Sequence, residues 1–269
     1  MRILLLGASG LLGGVLYQQL SRHHEVVGTT TRHITGLHRL DLTDPTAIEH
    51  ACAGTFNLVV HCAGIVDLHR AEQEPALTER VHVRATEELV ATTATKIVYF
   101  STDNVFSGRA PRYIESDLTG PVSVYGRTKL AAERIILRRK DNLVIRVPLL
   151  FGFSPWSTKF IDRFRAASTP AVIDVVTNPL YLPDIAEHLT RLWSMSGIVH
   201  VGGATAMSRF EFMNAIRAGL HLPTDIVAIR NSDIDPTGLR PPRLVLESAR
   251  HPLVGRPVTE AIEDMRNHV

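Results

Sequence analysis

The sequence predicts an α/β fold, with a doubly wound parallel sheet followed by a small mixed α/β lobe. Short β-branched or apolar runs alternate with longer segments of helical period through residues 1–150, and this alternation is typical of βαβ crossovers. Two of these runs, at 58–60 and 97–100, carry no charge, as expected of strands that are buried on both faces. A glycine-rich turn lies between the first strand and the first helix, where a sheet of this kind binds its ligand.

We predict the elements in chain order from hydrophobic period and from turn and cap signals. Strands are expected at 3–6, 25–30, 58–61, 97–100 and 143–147. Helices are expected at 11–20, from the Asp44-Pro45 pair to about 53, along a long stretch through Leu77, Val81, Ala85 and Leu89, and at 122–139.

After Pro148 proline becomes frequent and the elements are mixed. A helix is expected from 182, with Asp184 near its N-cap, then a strand at 198–201. Ser208 and Glu211 form a capping-box pattern that opens a helix at 208–220, and residues 231–243 are expected to be a loop. We interpret 1–150 as a dinucleotide-binding core and 151–269 as a substrate-binding lobe, with roughly 171–202 returning to the core.

Composition and charge restrict the classes of partner. The chain has 29 Lys and Arg against 27 Asp and Glu, for a net charge of +2, which provides no electrostatic footprint for nucleic acid or an acidic membrane surface. No apolar run is long enough to span a bilayer, and the N-terminal run stops at Gly7, too early for a signal peptide. Only Cys52 and Cys62 are present, which favours a reducing compartment. We expect a cytoplasmic protein without a metal site, because the histidines lack partners at metal spacing.

The glycine-rich turn reads Gly7-Ala8-Ser9-Gly10-Leu11-Leu12-Gly13. Gly7 permits a tight turn, Gly10 lets the backbone approach a pyrophosphate, and Gly13 allows close packing of the helix on the sheet. The free N–H groups at the start of the helix would bind the phosphate oxygens. We therefore predict that this turn, including Ser9, Leu11 and Leu12, binds a dinucleotide; a purely structural turn is the alternative.

The residues after the second strand distinguish the two nicotinamide cofactors. An acidic side chain there would bind the ribose 2′-hydroxyl of NAD, whereas an arginine accepts the 2′-phosphate of NADP. Residues 29–33 contain no acid and one arginine, Arg32, so we expect NADP(H) to be preferred, with NAD(H) as the alternative. Asp41 and Leu42 lie just before the helix expected from Asp44, where they could hold the adenine. A turn role for Asp41 is equally open.

Three groups suggest catalysis. Ser101-Thr102-Asp103 directly follows the strand expected at 97–100. Tyr125 and Lys129 are four residues apart on a predicted helix, so their side chains share one face. A cation there would lower the pKa of the phenol from about 10 towards neutrality. We predict that Tyr125 is a general acid for a carbonyl oxygen, that Thr102 donates a second hydrogen bond to it, and that Lys129 also reaches the nicotinamide ribose. An ordinary helix face is the alternative.

Together these motifs resemble the extended short-chain dehydrogenases/reductases, and most closely the dTDP-4-dehydrorhamnose reductase-like family. The glycine spacing is the variant found in short-chain dehydrogenases. The similarity continues through residues 41–44, 61–64, 100–108, 125–129, 179–186, 197–201 and 240–241, and so covers the chain essentially end to end.

The resemblance implies NAD(P)H-dependent reduction of a nucleotide-linked 4-keto-6-deoxysugar, a catalytic set of Thr102, Tyr125 and Lys129, and a homodimer. It further implies cofactor contacts at Cys62, Ala63, Gly64, Ser101 and Pro148. The substrate candidates are Val66, Asp103, Asn104, Val105, Phe106, Phe151, Trp156 and Arg240; for Trp156 the alternative is plain packing, and for Arg240 it is solvent exposure.

The sequence departs from the family in three loops that should face the substrate. Residues 66–72 look two residues longer than usual, Asn104 replaces a tyrosine, and residues 149–152 lack the usual aromatic pair. These departures leave the identity of the substrate open while the cofactor motifs remain complete.

Three rival functions share the fold. A nucleotide-sugar dehydratase is disfavoured because Asn104 occupies the position of its catalytic acid and cannot carry a proton at neutral pH. A 4-epimerase with retained NAD uses the same Ser/Thr, Tyr and Lys set, but the missing acid after the second strand argues against it. A dinucleotide-binding regulatory subunit, like the relative that partners methionine adenosyltransferase, would use the fold without turnover; the intact Tyr125 and Lys129 favour an enzyme.

Overall fold

The structure, a computed structural model, describes residues 1–267. Its N-terminal half contains six strands: β1 (Arg2–Leu6), β2 (Glu25–Thr30), β3 (His38–Arg39), β4 (Leu58–His61), β5 (Ile97–Thr102) and β6 (Leu143–Val147). Between them lie α1 (Leu11–Leu20), α2 (Pro45–Cys52), α3 (Leu68–Gln73), α4 (Pro75–Glu79), α5 (Ala85–Thr92) and α6 (Val124–Ile136).

The C-terminal half is built from shorter elements. Its strands are β7 (Leu150–Phe151), β8 (Ser168–Val172), β9 (Val176–Thr177), β10 (Leu180–Tyr181), β11 (Gly197–His200), β12 (Met207–Ser208), β13 (Asp225–Ile229) and β14 (Arg243–Leu244). Its helices are α7 (Leu182–Leu192), α8 (Arg209–Gly219), α9 (Asn231–Ile234) and α10 (Val258–Arg266).

Seven strands form one parallel sheet in the order β3-β2-β1-β4-β5-β6-β11. The order reverses between β1 and β4, which makes a crevice at the carboxyl ends of these two strands. Apolar residues of α1 and α7 cover one face of the sheet, and those of α2, α5 and α6 cover the other. The predicted α/β class with a doubly wound sheet is confirmed. Within residues 1–267 no helix has the length and apolar character needed to cross a bilayer.

The lobe that follows the core has its own aromatic centre. Phe151, Phe160, Tyr181 and Phe212 pack together with apolar residues of α8 and α10, and three small sheets of two or three strands surround them. The chain also returns to the core, because β11 pairs with β6 and α7 packs in the apolar layer with α1.

Several predicted boundaries are wrong for local physical reasons. The long helix expected through Leu77 is divided at Glu74, before Pro75, and again by a π-helical turn at Arg80–Arg84. Helix α6 is shorter than 122–139 because the Ser123 side chain accepts from the N–H of Gly126 and so caps the helix one residue before Val124.

The C-terminal half confirms some expectations and corrects one. Asp184 lies near the N-cap as expected, in the first turn of α7, where its carboxylate binds the guanidinium of Arg256 at 2.7 Å. The predicted loop at 231–243 contains α9. The capping box of Ser208 and Glu211 is present as expected.

A buried ion pair holds α6 against the sheet. Glu133 on α6 and Arg146 on β6 are 1% and 3% exposed, and their nearest nitrogen and oxygen atoms are 2.7 Å apart. The Ser101 hydroxyl donates to the same carboxylate, and Arg146 also contacts His200 at 3.4 Å. Each charge is therefore compensated inside the protein, and loss of either would leave the other buried and alone.

We expect Glu133→Gln to lower the free energy of unfolding by about 3–5 kcal/mol, because Arg146 would lose its buried counter-charge. Urea-induced unfolding measures the effect. The matched control is Glu187→Gln, which removes the exposed pair between Glu187 and Arg191 and should cost less than about 1 kcal/mol. Equal losses for the two variants would contradict the prediction.

Candidate active site

The glycine-rich turn lies at the crevice where the strand order reverses. Gly7 has φ +87°, and a Cβ at this position would lie 2.8 Å from the backbone of Ala63, which follows β4. A Cβ on Gly13 would lie 2.1 Å from the carbonyl oxygen of Gly7. Only glycine fits both positions, so the turn brings β1, α1 and the loop after β4 into close contact.

The N-terminus of α1 has the features of an anion site. Its N-cap, Gly10, supplies no side chain to bind the first N–H groups, whereas α2, α6 and α8 are capped by Asp44, Ser123 and Ser208. The free N–H groups and the helix dipole both favour a phosphate at this end. This geometry fits the pyrophosphate of a dinucleotide.

A cavity of about 600 Å³ lies beside the turn, beyond the end of β2. Its lining carries basic and hydroxyl side chains and no carboxylate: Thr31, Arg32, His33, Ile34, Thr35, Gly36, Leu37 and Arg39. The Arg32 guanidinium donates to the carbonyl oxygens of Ser9 and Trp156, each at 3.0 Å. Positive charge without an acid suits a 2′-phosphate better than a ribose hydroxyl.

Trp156 lies close to the glycine turn. Its ring packs edge-on against Tyr17 of α1, with centroids 5.3 Å apart, and its carbonyl accepts from Arg32. Ser154 in the same loop donates to the carbonyl of Gly10 at 3.2 Å. The structure shows the packing role for Trp156, and a substrate contact stays a prediction.

The Asp41 side chain stabilises the turn in which it lies. Its Oδ1 accepts from the backbone N–H and from the hydroxyl of Thr43, both at 2.8 Å, and these bonds lower the pKa of the carboxyl. Leu42 is buried in the core. The turn alternative left open for Asp41 is the one that the structure shows.

Thr102, Tyr125 and Lys129 come together at the carboxyl end of β5. Tyr125 lies in the first turn of α6 and is 9% exposed. Thr102, whose hydroxyl donates to Asp103 Oδ1 at 3.0 Å, lies near enough to influence the phenol. Lys129, one turn further on, donates to the carbonyl of Phe100 at 2.6 Å. Its ammonium nitrogen lies 4.0 Å from the centre of the Tyr99 ring. The lysine charge is thus directed at the strand below the tyrosine.

The electrostatics correct one expectation. Burial raises the pKa of Tyr125 to about 12; the nearby Asp103 carboxylate adds to the rise, and Thr102 opposes it. Burial also lowers the pKa of Lys129 to about 7. The expected lowering of the phenol pKa by Lys129 is therefore wrong for this structure, because desolvation dominates and the lysine charge is directed at the carbonyl of Phe100. A neutral phenol at neutral pH is nevertheless the state in which Tyr125 can donate a proton.

Beyond Thr102 the site opens towards a group of arginines. Asp103 is buried, and desolvation raises its pKa to about 6 against the hydrogen bonds from Thr102 and Asn104 and the charge of Arg209. Burial lowers the pKa of Arg209 to about 10; Arg163 and Arg240 add to this and Asp103 opposes it.

Arg240 retains unused hydrogen-bonding capacity. One of its terminal nitrogens is buried without a partner, while the other contacts His69 at 3.3 Å. Arg209 therefore lies near Asp103 and near two further arginines, while Arg240 also interacts with the carboxylate of Asp235. The positive charge around Arg209 would attract an anion.

Three other predicted substrate residues lie inside cores and have no exposed surface. Val105 and Phe106 are 0% exposed, and Phe106 stacks on Tyr113 with centroids 4.2 Å apart. Phe151 is also 0% exposed and packs on Phe212 in the lobe. Val66, in contrast, is 59% exposed. The side chains of Val105, Phe106 and Phe151 therefore serve core packing in this structure, and a substrate contact at these residues stays an untested prediction.

The remaining predicted cofactor residues occupy strand ends. Cys62, Ala63 and Gly64 directly follow β4, and the buried Pro148 follows β6. Burial raises the pKa of the Cys62 thiol to about 12, so this thiol is unreactive. Ser101, also predicted to bind cofactor, instead directs its hydroxyl into the buried ion pair with Glu133.

Sequence reasoning missed three polar residues. His82 lies in the π-helical turn and contacts Tyr125 edge-on, with ring centroids 5.9 Å apart; a π turn has no local sequence signal. Arg163 and Arg209 were not singled out. The sequence position of Arg209 could have drawn attention to it. Arg209 is the first residue of α8, where a cation is unfavourable because it opposes the helix dipole. Across residues 1–267 no group of three or more His, Cys, Asp or Glu side chains could hold a metal ion.

The doubly wound sheet, the glycine turn at its crevice and the Thr102, Tyr125 and Lys129 set define an extended short-chain dehydrogenase/reductase fold and site. The chain belongs to the RmlD substrate binding domain family, whose model matches residues 1–266. This confirms the family that the sequence motifs suggested.

Individual relatives carry two different names. A dTDP-4-dehydrorhamnose reductase of Mycolicibacterium smegmatis is 30% identical over 282 residues, which cover 98% of this chain and 84% of that protein. Methionine adenosyltransferase 2 subunit beta of Danio rerio is 29% identical over 296 residues, covering 98% and 89%. The structure of a Bacillus anthracis dTDP-4-dehydrorhamnose reductase in complex with NADP superposes with a TM-score of 0.87 at 21% identity, covering 100% and 99% of the two chains. The structural match shows the shared fold.

We expect Lys129→Met to be stabilised relative to the parent protein at pH 6–7, with the difference shrinking as the pH rises towards about 10.5. The pKa of Lys129 is about 7 in the folded protein and about 10.5 in the unfolded chain. Between these two pKa values the unfolded chain binds more protons, so the stability of the parent protein rises with pH. Thermal unfolding across this range measures the effect. Lys140→Met, at an exposed position after α6, is the control; a difference for Lys129→Met that is independent of pH would refute the depressed pKa.

Proposed function

We propose that this protein is an NADPH-dependent reductase of a carbonyl group, with a nucleotide-linked 4-keto-6-deoxysugar as substrate. The observation that carries the proposal is the buried set of Thr102, Tyr125 and Lys129 at the carboxyl end of β5, with the phenol held neutral. Family membership supports the same reaction class, and the name of the M. smegmatis relative supports the substrate class.

The protein side of the reaction follows from the geometry. Held at the glycine turn and Arg32, NADPH would supply the hydride for the carbonyl carbon. Tyr125 donates its phenolic proton to the carbonyl oxygen, which becomes the alcohol, and the resulting phenolate later recovers a proton from solvent. The Thr102 hydroxyl donates to Asp103 Oδ1 at 3.0 Å; on substrate binding its single proton would turn to the carbonyl oxygen, where charge develops. Lys129 retains a share of its charge at neutral pH, because its pKa is about 7, and this charge, held at the carbonyl of Phe100, would bind the nicotinamide ribose.

The group of arginines near Asp103 supports the proposal of a phosphorylated substrate. Arg209 interacts with Asp103, next to Thr102, and with Arg163 and Arg240, and Arg240 has a buried nitrogen without a partner. Guanidinium groups bind phosphate oxygens through paired charge-assisted hydrogen bonds. We propose that they bind the diphosphate of the nucleotide, with Asp103 and Asn104 beside the sugar, and that the lobe at 151–269 supplies most of this surface. The homodimer stays a prediction.

A methionine adenosyltransferase 2 subunit beta-like role is the second candidate, since the D. rerio subunit is similar over nearly the whole chain. In that role the protein would bind a dinucleotide and a partner protein without turnover. The two functions differ in whether removal of the Tyr125 hydroxyl has any consequence.

We expect Tyr125→Phe to reduce kcat by at least about a hundredfold, because the general acid is lost, while Kd for NADPH changes less than about threefold. NADPH consumption is followed with dTDP-linked and UDP-linked 4-keto sugars and with simple ketones. Tyr113→Phe removes a hydroxyl from a buried tyrosine outside the site and should leave kcat unchanged. NADPH binding by the parent protein without turnover of any ketone would refute the reductase and favour the binding role.

We expect Arg32→Ala to raise Kd for NADPH at least about tenfold, the effect of losing charge-assisted hydrogen bonds, and to leave Kd for NADH within about threefold. Calorimetric titration with both cofactors measures the two constants. Arg22→Ala, at an exposed position between α1 and β2, controls for loss of surface charge. An equal rise in Kd for NADPH and for NADH would show that Arg32 does not contact the 2′-phosphate.

A further inference from the structure

The first turn of α6, which carries Tyr125, is held by two side chains from different parts of the chain. The local one is Ser123, whose hydroxyl accepts from the N–H of Gly126 at 3.1 Å. The distant one is Glu72 on α3, whose Oε1 accepts from the N–H of Val124 at 2.5 Å. Val124 is the first residue of the helix and directly precedes Tyr125. The backbone at the tyrosine is therefore anchored to another helix.

Helix α6 has no acidic side chain of its own at this end. No acid lies in its first turn, although the free N–H groups and the partial positive charge of a helix start favour a carboxylate there. In α8 the acid is local, because Glu211 stands three residues after the cap Ser208 and completes a capping box. The corresponding residue of α6 is Gly126, three residues after Ser123. Glu72 thus supplies from α3 the carboxylate that the sequence of α6 lacks.

A close contact explains why Gly126 has no side chain. A Cβ at this position would lie 2.2 Å from the carbonyl oxygen of Asn104. Asn104 lies in the short helical turn Asp103–Val105, which directly follows Thr102 at the end of β5. The glycine therefore lets the start of α6 lie on this turn, and Tyr125 is brought near Thr102.

The other anchors of α6 lie one turn or more beyond the tyrosine. Lys129 donates to the carbonyl of Phe100, and Glu133 pairs with Arg146. These contacts hold the body of the helix, whereas a helix start can open locally because its first N–H groups have no partner within the helix. Tyr125 is the second residue of α6. Opening of the first turn would therefore displace the phenol while the rest of the helix stays in place.

We propose that Glu72 is a positioning residue for Tyr125. Its carboxylate holds the first turn of α6 on the turn after β5, and so keeps the phenol where it can donate its proton to the substrate carbonyl. The proposal rests on the proposed function, because it takes Tyr125 as the proton donor. Glu72 itself transfers no proton and acts through the N–H of Val124. Its own helix is held by Asp67, which caps α3, and by the buried Ala71.

Three substitutions separate the hydrogen bond from the rest of the side chain. Glu72→Met has a similar size but no acceptor, Glu72→Ala removes both, and Glu72→Gln keeps an acceptor oxygen. We expect kcat to fall at least about tenfold in the Met and Ala variants, the equivalent of one lost hydrogen bond, and to stay within about threefold of the parent in the Gln variant. Kd for NADPH should change less than about threefold in every variant, because the bond to Val124 lies outside the glycine turn.

The matched control is Glu74→Gln, which alters a second glutamate beside the end of α3. The Glu74 carboxylate pairs with Arg70 at 3.2 Å on the protein surface, where such a pair contributes little to stability. This variant should leave kcat and Kd unchanged. A fall in kcat of the same size in Glu74→Gln and in Glu72→Met would show that any loss of charge near α3 has this effect, and would overturn the proposal.

Hydrogen exchange provides a readout that does not depend on turnover. In the cofactor-free protein, the Val124 amide should exchange about tenfold faster in Glu72→Met and Glu72→Ala than in the parent or in Glu72→Gln. If the parent binds NADPH but reduces no ketone, the proposed function fails, and the exchange rates alone decide whether Glu72 holds the first turn of α6. Equal exchange in all four proteins would overturn the positioning role, and so would an unchanged kcat in the Met and Ala variants of an active parent.

Discussion

The packing of α6 on the sheet is the constraint on which the candidate site depends. Glu133 and Arg146 form a buried ion pair between this helix and β6, and Lys129 reaches the carbonyl of Phe100 from the same helix. Because desolvated charges tolerate little displacement from their partners, these contacts determine both the rotation and the height of α6. Tyr125 lies one turn before Lys129 and inherits its position from them.

Burial also sets the protonation states. The same desolvation that raises the pKa of Tyr125 to about 12 lowers that of Lys129 to about 7, so at neutral pH the phenol is protonated and the lysine is only partly charged. For a carbonyl reduction this is the useful starting state, since the phenol has a proton to donate. The opposite starting state, a phenolate that removes a proton from an alcohol, would require a stronger cation closer to the phenol.

The two names found among relatives correspond to different parts of the same molecule. The glycine turn, the uncapped start of α1 and the basic cavity at Arg32 would serve any dinucleotide-binding protein of this fold. The proposed reduction of a phosphorylated carbonyl compound rests instead on Tyr125 with Thr102 and on the Arg209 cluster beside Asp103. This second part of the site is therefore where a reductase and a binding subunit would differ.

The sequence by itself determined the doubly wound sheet, the glycine turn and the Tyr125 and Lys129 spacing, because each depends on residues that are close together in the chain. Only the tertiary structure decided that Lys129 binds a strand carbonyl, that Val105, Phe106 and Phe151 are core residues, and that Ser101 belongs to an ion pair. It alone brought His82 to Ile65 and Arg209 to Asp103. The reason is physical: local period and turn chemistry act over a few residues, whereas burial and pairing depend on surfaces that meet only after the chain has folded.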